Sequence, residues 1–225
     1  MKKKTRDEPY LVRYLRPTDI KVAINRIPEE FRERLRDIIT WHRSHGVRRL
    51  GFVRHLGRRD INLCVMLPPR LSLGRYLRKG QNAQEFGAPA RGQWTPWAVR
   101  RYMLYDVLLH ELGHLQLVKP KSKNWNRKFA SETLAQDFLD KWRRKLYSKS
   151  FDHPDPIHNP PTEEELLWIP IWEKFDKRQK FILVNLVLKA PFSEFPDISE
   201  LGEIPNNNIN FLKNALCQKN MNGHN

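Results

Sequence analysis

Residues 95–119 read TPWAVRRYMLYDVLLHELGHLQLVK, and the organisation of the chain follows outward from them. Thr95 suits a helix cap, Pro96 suits the first helical position, where its missing N–H costs nothing, and Pro120 closes the segment. Inside the apolar run that follows stand His110, Glu111 and His114. At 3.6 residues per turn the two histidines leave one face of the helix, and Glu111 points about 100° away from His110. The plain alternative is a pair of satisfied core histidines. Burying such groups beside Val107, Leu108 and Leu109 without a task would, however, cost free energy.

Two neutral imidazoles at this spacing can reach one Zn²⁺ at about 2.0–2.1 Å. The ion would acidify a water, and Glu111 on the flank could take its proton and pass it to a leaving amine. H-E-x-x-H on a helix is the signature of that division of labour. Cysteine ligation is excluded by number, since Cys64 and Cys217 form no C-x-x-C pair. A catalytic zinc needs a third protein ligand and an open fourth position. The metzincin spacing fails, because Leu117 and Pro120 stand where its Gly and His would be. The expected third ligand is Glu132, 18 residues past His114, on a second helix over 127–149 that runs back antiparallel. The alternative for Glu132 is an ordinary acid in a helix's first turn. His153 or His158, in DHPDPIHNPP, could replace it or stabilise an oxyanion from a proline-stiffened connector. Asp137 could orient a zinc-bound histidine. A plain surface role is the alternative for each of these three.

HELGH followed by SETLAQDF resembles the ImmA/IrrE family of zinc metallopeptidases, whose pattern is HExxH and then E-x-x-A-N-x-F. Glu132, Ala135 and Phe138 fall on that pattern, and Gln136 replaces the usual Asn. The resemblance spans residues 95–140. It implies a small gluzincin-like zincin domain, with a sheet beside the active-site helix and zinc held by His110, His114 and Glu132. It also implies Glu111 as the base and hydrolysis of a peptide bond, often in a regulatory protein. No helix-turn-helix module is visible.

The rest of the chain sets the frame. Its 225 residues have room for one domain, or one with an extension. The net charge of +16 is uneven: residues 1–150 carry 34 Lys and Arg against 14 acids, and residues 151–225 carry 7 against 11. Residues 41–80 hold ten basic residues and one acid, Asp60, which is either a solvated face or a surface for nucleic acid or an acidic partner. No signal-peptide core or membrane-length apolar run is present, which predicts a soluble, cytoplasmic protein. TDIKVAINRI predicts a strand, PEEFRERLRDIITWHRSHG a helix ending at Gly46, and RRLGFVRH and DINLCVMLP two strands. DINLCVML is expected at the sheet edge, where an extended substrate could add itself by backbone hydrogen bonds. Residues 69–94, with Arg70, Arg75, Arg78 and Lys79, could form a flap over the cleft that favours acidic substrates or nucleic acid, and a solvated loop is the simpler alternative. A third helix is expected over 171–189.

The fold expected is α+β: a basic zincin-like catalytic domain, 1–150, with an early sheet, an active-site helix and a second antiparallel helix. A proline-rich connector and a helical appendage packed on that domain, 151–225, follow. The function expected is a Zn²⁺-dependent metallopeptidase acting on a protein or peptide. The alternatives are a basic nucleic-acid-binding protein that keeps a zincin core for structure or tethering, and a zinc protein awaiting a partner or an activating cut.

Overall fold

The computed structural model describes residues 11–41, 49–54, 59–69, 71–78, 80–116, 125–148 and 153–181. Within them the chain is α+β. Strand β1 (Val12–Arg13) leads to helices α1 (Pro17–Asn25) and α2 (Glu29–Arg32). Strands β2 (Asp37–Trp41), β3 (Gly51–Arg54), β4 (Asp60–Cys64) and β5 (Met66–Leu67) follow. Helices α3 (Pro96–Tyr102), α4 (Leu109–Leu115), α5 (Trp125–Ser148) and α6 (Glu163–Lys174) complete it. A π-helical turn, Met103–Leu108, joins α3 to α4 without a break. Thr95 Oγ caps this helix by accepting from the Ala98 N–H at 3.3 Å, and Pro96 holds the first position, both as expected.

Two expectations for the N-terminal third are overturned. TDIKVAINRI is not a strand but α1: Ile20, Ala23, Ile24 and, just past its end, Ile27 are buried at helical three-and-four spacing. Pro17 opens it, and the Asp19 carboxylate accepts from the Arg16 N–H at 2.8 Å. The long helix expected next shrinks to the single turn of α2. The β-branched run Ile38-Ile39-Thr40 instead favours an extended chain and forms β2. Its expected stop, Gly46, lies outside the described residues.

β3 and β4 pair antiparallel, from Gly51 opposite Leu63 to Arg54 opposite Asp60. β2 pairs parallel with the other side of β4, giving the order β2-β4-β3. β4 is therefore the middle strand, buried at all five positions, and the expectation that DINLCVML forms the edge is wrong. The edges are β2 and β3. β1 and β5 form a separate antiparallel pair.

The segment expected as a flap is part of the core: Leu71, Leu73, Ala83, Phe86, Ala88 and Trp94 are buried. Phe86 and Trp94 meet the Tyr102 ring edge-on at centroid distances of 5.0 and 5.4 Å, so the segment is riveted to α3. Gly87 turns through a positive φ of 76°, a conformation that costs a residue without Cβ little.

α6 begins at Glu163, eight residues before the start expected, because Thr162 caps it by accepting from the Glu165 N–H at 3.3 Å. It runs through Pro170, and residues beyond 181 lie outside the described set. Trp172 and Phe175 join the same hydrophobic core as the N-terminal half. Two neighbouring arginines of α3 tie this region down. Arg100 pairs with Asp19 and Asp155 at 3.1 and 2.6 Å, and Arg101 grips both carboxylate oxygens of Glu165 at 2.8 Å. Among the described residues no helix is long and apolar enough to cross a membrane.

Candidate metal centre

Gly113 decides how closely the two site helices meet. A Cβ there would stand 2.8 Å from the Ala135 carbonyl oxygen and 3.0 Å from its Cα, so any side chain would push α5 away from α4. This contact brings the N-terminal half of α5 against the histidine face. The π-helical turn ends just before Leu109. Such turns add a residue to the helix and often mark functional positions.

His110 Nε2 and His114 Nε2 lie 3.1 Å apart, and Glu132 Oε2 is 3.3 Å from the first and 3.5 Å from the second. Three ligands held about 2.0–2.1 Å from a tetrahedral ion must stand about 3.3 Å from one another. The triangle has that size, and these three residues form a group able to hold a metal ion. Protons alone do not explain it. A neutral imidazole offers one N–H, so against an ionised Glu132 some side of the triangle always sets two donors or two acceptors face to face. A cation in the middle gives all three lone pairs one common partner. Burial, helped by the Arg78 and His114 charges, pushes His110 down to about 3, so its ring stays neutral and able to ligate.

Glu111 is 8% exposed and lies between this triangle and β3. Burial first, and then the like charge of Glu132, push its carboxyl up to about 8, while Arg78 and Arg49 pull the other way. Gly51 of β3 makes the room: a Cβ there would approach Glu111 Cγ to 3.0 Å and Val107 Cγ1 to 2.8 Å.

The sequence reading missed a polar layer one turn along from the ligands. Asp106 precedes His110 by one helical turn on the same face and is fully buried. Gln81 Nε2 donates to its Oδ1 at 2.6 Å and Arg143 Nη1 at 2.9 Å, while Arg78 Nη2 lies 3.5 Å from Oδ2. Arg78 also donates from Nη1 to Gln136 Oε1. Gln136 lies one turn after Glu132, so Arg78 bridges the two site helices. The four-residue spacings from Asp106 to His110 and from Glu132 to Gln136 were visible in the sequence, but nothing in it pointed Arg78 at either.

The remaining candidates lie elsewhere. Asp137 is exposed on α5 and is not in the triangle. His158 is buried, with Nδ1 2.7 Å from the Tyr105 hydroxyl. His153 Nδ1 accepts from the Asp155 N–H at 3.0 Å, and its ring stands 4.5 Å from that of His158. Neither histidine is brought to the triangle. Within the basic stretch 41–80, residues 42–48, 55–58, 70 and 79 lie outside the described set, Arg70 and Lys79 among them. Compared with known proteins, the chain matches no family model, no curated protein and no solved structure.

Proposed function

We propose that the chain is a zinc-dependent metallopeptidase of zincin type, hydrolysing peptide bonds in a protein or peptide substrate. The observation that carries this reading is the His110–His114–Glu132 triangle, sized for a tetrahedral ion, with a buried carboxylate beside it. The resemblance of HELGH and SETLAQDF to the ImmA/IrrE pattern supports the same reading. His110, His114 and Glu132 would hold the ion. When bound, zinc supplies a Lewis acid that polarises a carbonyl and acidifies a water. Glu111 then orients the attacking water, takes its proton on the carboxylate and delivers that proton to the amine nitrogen as the peptide bond breaks. Its burial favours the protonated form and so strengthens it as a base. Among the described residues the sheet edge nearest the site is β3, and β4 is the middle strand. Gly51 packs against Glu111 there, so an extended peptide paired with β3 would run past the base.

The test is elemental analysis of purified protein, followed by incubation with a peptide library read by mass spectrometry. Wild type should hold about one zinc per chain and cleave a subset of the library. Glu111→Gln should keep the zinc and lose the cleavage. Protein that stays zinc-free after reconstitution would sink the metal site, and cleavage that survives Glu111→Gln would sink the mechanism.

A further inference from the structure

The geometry points to Arg78 as an oxyanion-binding residue of the metal centre, a fixed cation that receives the negative oxygen developing on a substrate carbonyl. This rests on the metallopeptidase reading and adds to it a group from outside both site helices.

Three observations place it there. The guanidinium spans from Asp106, one turn before His110, to Gln136, one turn after Glu132, and so lies along the flank of the ligand triangle. Second, it is held and not free to swing. Gln136 Oε1 accepts from Nη1, Asp106 stands by Nη2, and Leu73, shortly before it in the chain, is buried in the core. Preorganisation of this kind makes a donor effective against charge that appears only in the transition state. Third, the Arg78 side chain is 29% exposed, whereas Asp106 is sealed, so a ligand can approach the cation and not its counter-charge.

Asp106 is shared between Arg78, Arg143 and Gln81. Glu85 and Asp140 also pair with Arg143, at 3.1 and 3.3 Å. Arg78 pairs with one described carboxylate, Asp106, and its guanidinium carries more N–H groups than Asp106 and Gln136 use.

Wild type, Arg78→Ala and Arg78→Lys are loaded with Co²⁺ in place of zinc, and metal content is measured. Each is then titrated with inorganic phosphate, a tetrahedral oxyanion, and separately with imidazole, a neutral metal ligand, followed by the visible Co²⁺ spectrum. Arg78→Ala should keep about one metal per chain, bind phosphate about tenfold or more weakly and bind imidazole as wild type does. Arg78→Lys should recover part of the loss. Equal phosphate affinity in wild type and Arg78→Ala overturns the inference and leaves the metal site standing, as does a wild type that takes up metal but no phosphate. Loss of metal from both variants makes Arg78 scaffold only and also overturns it. Wild type without metal removes the metallopeptidase reading and this inference together.

Discussion

The two ends of the one helix from Pro96 to Leu115 bury polar side chains in opposite ways. Near its start Arg101 is sealed, yet every guanidinium nitrogen is bonded: Nε to Asn159 O, Nη1 to Phe86 O and Glu165, Nη2 to Pro156 O and Glu165. Near its end His110 and His114 converge with Glu132 in a triangle that no arrangement of protons on neutral rings completes. A buried group whose bonds are closed within the protein serves the fold, and side chains whose mutual contacts call for a cation between them serve a ligand. The two ends should therefore fail differently when cut.

The largest effect is expected at the closed end. Arg101→Met leaves Glu165 buried without its partner and should destabilise the chain by about 3–5 kcal/mol. Urea unfolding of the metal-free protein reads this, and a small loss would mean that the Glu165 clamp is not what seats α6. At the open end His110→Ala should leave that unfolding curve nearly unchanged while lowering zinc affinity more than about a hundredfold, measured by chelator competition. Equal damage to stability and affinity would erase the contrast.

Gly113→Ala joins the two behaviours. The added methyl meets backbone of α5, so it should cost about 1–3 kcal/mol and also weaken zinc binding by moving Glu132. If affinity holds while stability falls, Glu132 is not positioned by that contact. The smallest effect is a slope. Burial, followed by the charge of His153, lowers His158 from its ordinary 6.5 to about 3. The unfolded chain then takes up a proton that the folded one refuses, so stability contributed above pH 6.5 is lost as pH falls from 6.5 toward 3. His158→Asn should flatten that part of the urea-midpoint profile. An unchanged slope would assign the acid sensitivity to other groups.

Where local chemistry was decisive, the sequence could be read directly. Thr95 and Pro96 started the motif helix, and the spacing of Phe138, Trp142 and Leu146 marked α5, although Leu134, expected on its buried face, is exposed and Leu139 is buried instead. It misled where two local signals competed. α1 carried a helical three-and-four pattern inside what looked like alternation, and Pro170 hid a helix that Thr162 had already begun.

What the sequence by itself determined is the meeting of His110, Glu111 and His114 on one helix, because a fixed rise and twist convert spacing into direction. What only the tertiary structure decided is everything that spacing cannot carry across a gap. It set Glu132 Oε2 within 3.5 Å of both imidazoles, put β4 at the centre of its sheet, and turned Arg78 inward to Asp106 and Gln136. Those placements depend on how closely backbones approach, at Gly113 against Ala135 and at Gly51 against Glu111. Such approaches are set by packing between elements distant in the chain, which no local pattern records.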